Sequence, residues 1–185
     1  MTDYLVVSAV RGEARYLPEG LPVLITGAGK TPAAVATARM LASRDTSDLV
    51  VLNVGTTGAL RDGLSGIYLP STVINHDLNV DAIRAIGLDP QDELPVEGGD
   101  GTVLASGDVF VADPAVRARL AERAHLVDME AYGVVYACRE FGVPVKVVKH
   151  VSDAADDAAL DWPTLVDTSA KALGEWVTHY VRERA

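Results

Sequence analysis

Two acidic side chains, Glu130 and Asp153, each follow a short apolar run: Leu126-Val127-Asp128-Met129 before the first, and Val145-Lys146-Val147-Val148-Lys149-His150-Val151-Ser152 before the second. Between them an apolar, helix-like stretch reaches Phe141 and is stopped by Gly142 and Pro144. This pattern is strand, helix, strand, and in open α/β sheets ligands bind outside the carboxyl ends of the strands. Glu13, after the apolar run 4–10, and Gly55-Thr56-Thr57-Gly58, after the run 48–54, occupy two further strand ends. If these strands are parallel, all four groups reach one rim. Each has an ordinary alternative. Glu13 would be a surface glutamate, the two glycines a simple turn, and Glu130 and Asp153 helix N-terminal acids favoured by the macrodipole. Together they predict a ligand site at the sheet edge. A net charge of −10 favours a neutral or cationic small molecule as its occupant.

The elements that must position these groups alternate along the chain. Residues 4–10, 22–26 and 48–54 are apolar runs bounded by turn residues, with helix formers at 33–42 between the last two. Such alternation predicts an α/β fold with buried, largely parallel strands, a three-layer αβα sandwich around a mixed sheet. Residues 66–74 read as a further strand, and 76–101, rich in Asp, Pro and Gly, as a long loop with at most a helical turn. A short strand at 102–106 follows. Asp113-Pro114 places a cap and a first-turn proline before a helix running to Ala124. The last helix, about 163–182, spaces Leu165, Ala172, Leu173, Trp176, Val177 and Tyr180 so that one face is buried. No repeat or linker interrupts residues 1–185, which predicts one domain.

Composition excludes several classes. At 185 residues with 49% hydrophobic side chains the chain can bury a sizeable core. No apolar run approaches the roughly 18 residues of a membrane span, and the N-terminus lacks a basic leader, so a cytoplasmic protein with no membrane partner is expected. The 16 Lys and Arg form no run, which argues against a nucleic-acid footprint. Cys138, the lone cysteine, falls on the apolar side of its helix and is expected in the core rather than as a nucleophile. His76, His125, His150 and His179 lack metal-ligand spacing, so neither a metal nor another cofactor is expected. Gly27-Ala28-Gly29-Lys30-Thr31 ends like a phosphate-binding loop, but the required first glycine is Leu24. Those glycines instead suit a sharp turn or a close backbone approach.

Taken in order, Asn53-Val54-Gly55-Thr56-Thr57-Gly58, Ser106-Gly107-Asp108-Val109-Phe110, Val127-Asp128-Met129-Glu130-Ala131 and Ser152-Asp153-Ala154-Ala155-Asp156 resemble the purine nucleoside phosphorylase/nucleosidase superfamily. The nearest branch is the 5'-methylthioadenosine/S-adenosylhomocysteine nucleosidases. His76-Asp77-Leu78-Asn79-Val80-Asp81-Ala82 resembles the loop after the middle strand of that family. The resemblance implies hydrolysis of the N-ribosidic bond of a purine nucleoside. Asp153 would protonate N7 of the base with Ser152 orienting it, Glu130 would hold the ribose hydroxyls, and Glu13 would activate water. It further implies that Met129 packs on the sugar, that Phe110 and Val111 meet the base, that Thr56 and Asp128 belong to the substrate site, and that Trp162 begins a lid or joins the core. A homodimer follows from the same resemblance.

Three other readings fit the same residues. Phosphorolysis needs a cationic cradle; relatives that use phosphate carry arginine where this chain has Asn53, though Arg11 and Arg15 flank Glu13. A nucleoside-binding protein without turnover and an α/β nucleotide-binding module are the others. The chain also departs from the family pattern. Only a turn separates the first strand from Pro22, where relatives have an extra hairpin, and this bears on the pocket for the 5' substituent.

Overall fold

The computed structural model describes residues 2–156 and 162–184. Its elements, in chain order, are β1 (Asp3–Ser8), β2 (Val23–Ile25), α1 (Lys30–Ala42), β3 (Leu49–Ala59), β4 (Ile67–Tyr68), β5 (Thr72–Asn75), α2 (Val80–Ala85), β6 (Glu93–Pro95), β7 (Val103–Ser106), α3 (Pro114–Ala121), β8 (Leu126–Asp128), α4 (Ala131–Glu140), β9 (Val145–Asp153) and α5 (Trp162–Arg182). The strands make one sheet in the order β2-β1-β3-β8-β7-β5-β6, with β9 paired to β3 and β4 to β9.

Side-chain alternation on β1 builds the layers. Leu5 and Val7 point to one face, where they pack with Ala33 and Leu41 of α1 and with Val134 and Cys138 of α4. Tyr4 and Val6 point to the other, against Leu173 and Val177 of α5. Both faces are therefore covered, the condition under which buried parallel strands are stable. Each such fully buried Leu or Val contributes on the order of 1.5–3 kcal/mol of transfer free energy. Cys138 is fully buried in the first of these clusters, and burial pushes its thiol up to about 12, which removes it as a nucleophile at neutral pH.

The sheet is two parallel halves joined back to back. In one half β2, β1, β3 and β9 run parallel; in the other β5, β7 and β8 run parallel. The joint is antiparallel: Gly58 and Ala59 at the end of β3 pair with Val127 and Leu126 of β8. The four groups do meet, but at this joint rather than along a uniformly parallel edge.

Several local expectations change. Gly55-Thr56-Thr57-Gly58 is not a turn, because β3 runs through it and its register with β9 shifts between Thr57 and Gly58. The glycines are there for space: a Cβ on Gly55 would lie 3.1 Å from Glu13 Oε1 and 3.3 Å from Lys149 Nζ, and one on Gly58 2.9 Å from Ala155 Cβ. The strand expected at 66–74 is two strands, β4 and β5, separated across Pro70. The expected loop 76–101 carries the short α2 and β6. Asp113 caps α3 as anticipated, accepting the N–H groups of Ala115 at 2.7 Å and Val116 at 3.1 Å, and the helix closes at Ala121 rather than Ala124.

Candidate active site

A cleft of about 270 Å³ opens at the β3–β8 joint, and Glu13, Asp128, Glu130 and Asp153 line it together with Thr56, Phe110, Val111, Met129 and Ser152. Glu13 arrives from the turn after β1. It is no surface residue: 4% of it is exposed. Its Oε1 accepts Thr56 N at 2.7 Å and Thr56 Oγ1 at 2.8 Å, and its Oε2 accepts Ser8 Oγ at 3.0 Å. One carboxylate thus ties the end of β1 to the middle of β3.

Glu130 stands at the N-cap position of α4 yet caps nothing with its side chain. It reaches sideways instead, where Oε1 accepts the Gly29 N–H at 2.9 Å. Burial, and then the neighbouring Asp128 charge, push its carboxyl up to about 7, against the opposing pull of Lys149. Glu130 thus does stand at a helix N-terminus, but its carboxylate is turned to Gly29 and the cleft rather than to the N–H groups of its own helix.

Behind the cleft wall lies Lys149, fully buried on β9, with Nζ 2.8 Å from Asp128 Oδ2. Asp128 Oδ2 also accepts the Ala131 N–H at 3.0 Å, while Oδ1 is buried with no hydrogen-bond partner among the described residues. Burial works against the Lys149 charge, but Asp128, Glu130 and Glu13 together hold its ammonium above the usual lysine range. Lys149 is thus a fixed counter-charge to three site carboxylates, and a lysine inside an apolar run gave no sign of this.

At the end of β9, Ser152 Oγ donates to Asp153 Oδ2 at 2.6 Å and Ala155 N donates to Asp153 Oδ1 at 2.9 Å. Ala155 adopts φ 51, the left-handed region that a non-glycine residue rarely takes, and so turns its N–H back onto the carboxylate. Gly58 leaves room for the same group, since a Cβ there would lie 3.0 Å from Asp153 Oδ1.

The opposite wall is the segment after β7. Val111 is buried, whereas Val109 and Phe110 are 51% and 50% exposed at the mouth. Lys and Arg are missing from the described lining residues. Arg15 turns away to Asp167 of α5 at 3.4 Å, and Asn53 is buried with Nδ2 donating to the Val7 carbonyl at 3.2 Å. Trp162 opens α5, but its side chain lies outside the described residues. His76 does not line the cleft; it packs against Gly107, borders a separate polar cavity with Asp92 and Arg84, and leaves Nε2 without a partner among the described residues.

Comparison with known proteins fits this arrangement. Residues 91–182 match the model of the phosphorylase superfamily. A 5'-methylthioadenosine/S-adenosylhomocysteine nucleosidase of Geobacillus thermodenitrificans is 30% identical over 182 residues, covering 84% of this chain and 76% of that protein. The chain belongs to the phosphorylase superfamily. The ATP nucleosidase Cap17 of Escherichia coli is 36% identical over 107 residues, 51% of this chain but only 20% of Cap17's length. Among solved structures, the Helicobacter pylori 5'-methylthioadenosine/S-adenosylhomocysteine nucleosidase superposes with TM-score 0.85 at 22% identity, covering 98% of each chain. That likeness establishes the superfamily fold, an α/β architecture with a mixed central sheet.

Proposed function

We propose that this protein is a purine nucleosidase that cleaves the N-ribosidic bond of an adenine 5'-deoxy or 5'-thio nucleoside with water. The observation that carries the reading is that Glu13, Glu130 and Asp153, from three separate strand ends, line one cleft. In the reaction the C1'–N9 bond breaks with its electron pair passing to the base. Asp153 gives its proton to N7, water oxygen bonds to C1', and the water proton passes to Glu13. Solvent exchange then restores both carboxyl groups. Glu130, charged, faces the ribose and offsets the positive charge that grows on the ring, an interaction strongest in the transition state. Ser152 orients Asp153, Met129 packs on the sugar, and backbone groups of Phe110 and Val111 meet the base edge. Thr56 holds Glu13, and Asp128 holds the floor through Lys149.

Water is preferred to phosphate because the described lining carries carboxylates and no Lys or Arg, the reverse of a phosphate cradle. The same charge pattern bears on the 5' substituent. Identity to an ATP nucleosidase favours a nucleotide as a second reading, but a triphosphate would meet several carboxylates in the cleft. Exposed Val35 on α1, Tyr136 midway along α4 and Phe141 at its C-cap support a homodimer, and a buried, free Cys138 suits a reducing cytoplasm. Among the described residues no helix is long and apolar enough to cross a membrane. One sheet that pairs β1 and β9 with β3, covered by the C-terminal helix α5 packed on β1, supports reading residues 1–185 as one domain.

The deciding experiment follows base release from methylthioadenosine, S-adenosylhomocysteine, 5'-deoxyadenosine, inosine and ATP, each with and without phosphate. Adenine release from the first three without phosphate is expected. Strict phosphate dependence would make the protein a phosphorylase, and preference for inosine or ATP would overturn the substrate class.

A further inference from the structure

Three loops at the rim of the cleft are tied together by a closed ring of hydrogen bonds that takes no part in the chemistry above. The Lys30 N–H donates to Asp108 Oδ1 at 2.7 Å, and the Asp108 N–H donates to Asp77 Oδ2 at 2.7 Å. The ring closes where Lys30 Nζ meets Asp77 Oδ1 in an ion pair, with Asn75 Oδ1 2.7 Å from the same Nζ. Lys30 begins α1, Asp77 follows β5 and Asp108 follows β7, so the three corners come from three different elements.

Each end of the ring touches the cleft. Gly29, immediately before Lys30, gives its N–H to Glu130 Oε1, and Asp108 immediately precedes Val109, Phe110 and Val111. Two consecutive N–H groups therefore hold the ribose-side carboxylate on one hand and the base loop on the other. Gly29 makes this possible: its φ is 101, and a Cβ there would lie 3.0 Å from Asp108 Oδ1. Val111 anchors the far end of the base loop in the core, but Val109 and Phe110 are half exposed and no regular structure covers residues 107–113, so the ring at Asp108 is what ties the near end across to α1. The Lys30 and Asp77 side chains are only 16% and 21% exposed, so their attraction is screened less than that of a surface pair. Burial works to raise the Asp77 carboxyl, but Lys30 and the Asp108 N–H outweigh it and hold the group below the usual range, so the ring stays charged near neutral pH.

We propose that Lys30, Asp77 and Asp108 are positioning residues: a clasp that sets the distance between the base-lining loop 109–111 and Glu130, so that base and ribose are held at their reacting separation. The proposal rests on the purine nucleosidase reading for its chemistry. An error of about 1 Å in such a distance can cost on the order of 10²-fold in rate.

The test combines kinetics with hydrogen exchange on Lys30→Met, Asp77→Ala, the double variant, Asp108→Ala and Asp108→Asn. Expected is a roughly 10- to 100-fold loss of kcat/KM in each single alanine or methionine variant. Inhibition by free adenine should weaken with it, and the Gly29 and Asp108 amides should exchange faster. Because all three residues serve one ring, the double variant should be no worse than its worse parent. Asp108→Asn keeps an acceptor oxygen for Lys30 N and should stay within a few-fold of the parent protein. A residue that merely stabilises the fold would instead lower Tm, give additive losses and leave adenine inhibition unchanged; that outcome, or unchanged exchange at both amides, overturns the clasp. If Lys30→Met does not fold, Asp77→Ala removes the same ring from its other side. A parent protein that releases no adenine would sink the nucleosidase reading instead, and the exchange data would still decide the clasp.

Discussion

Replacing Asp153 by Asn removes the acidic proton and little else, because the amide oxygen can still accept from Ala155 N while the amide NH2, in the place of Oδ2, can donate to Ser152 Oγ once that hydroxyl turns. If Asp153 is the general acid, kcat should fall by roughly 10²–10⁴-fold with KM little changed. An unchanged kcat would remove Asp153 from the chemistry. Glu130 makes a pH prediction. Its carboxyl is raised to about 7, and its charged form is the one that steadies the ribose, so kcat/KM should rise with one ionisation as pH climbs through about 7. The sign for stability is opposite. A carboxyl whose folded-state value exceeds its ordinary 4.5 stabilises the fold fully below that value and loses the contribution as pH rises through about 7. Glu130→Gln should therefore melt higher than the parent protein at pH 8 while losing activity. Equal melting temperatures at pH 8 would contradict the burial argument. Lys149 belongs with these acids. Lys149→Met leaves Asp128 charged and buried, at a cost of about 3–5 kcal/mol in urea unfolding, whereas removing both charges with Lys149→Met and Asp128→Leu should recover most of it.

Helix placement carries a prediction of its own. A Cβ added to Gly133 of α4 would lie 2.3 Å from the Lys30 carbonyl in the first turn of α1, so Gly133 sets how closely the two helices approach. Gly133→Ala should destabilise by about 1–3 kcal/mol and also reduce turnover, because the displaced turn carries the Gly29 N–H that holds Glu130. A stability loss with full activity would uncouple helix packing from the site. What sequence made legible, and what it hid, divides along the same lines. Apolar runs with acids at their ends exposed Glu13, Glu130 and Asp153, because strand ends and ligand edges coincide in this architecture. Gly55 and Gly58 misled because glycine marks turns more often than it marks a strand crowded by Glu13, Lys149 and Ala155. Lys149 stayed hidden because its partner Asp128 lies on another strand, and pairing across the sheet leaves no local pattern. The rim ring of Lys30, Asp77 and Asp108 was hidden for the same reason; its glycine-rich corner could be read only as a sharp turn or a close approach.

The molecule as a whole is strongly acidic, and the cleft shares that sign. Anionic nucleotides should be slow substrates, and the gap between methylthioadenosine and ATP in kcat/KM should narrow as salt is raised from about 0.01 to 0.15 M, where screening shortens from about 30 to 8 Å. A salt-independent ratio would mean that shape, not charge, excludes the nucleotide. A last consequence concerns the seam at Gly58 and Ala59, where the oppositely directed halves of the sheet meet. Glu13 and Asp153 ride on one half and Glu130 on the other, so the reaction centre exists only while that short junction is closed. Catalysis then reports on the docking of two platforms rather than on the integrity of either, and dilute denaturant should silence the protein while its helical circular dichroism is still intact.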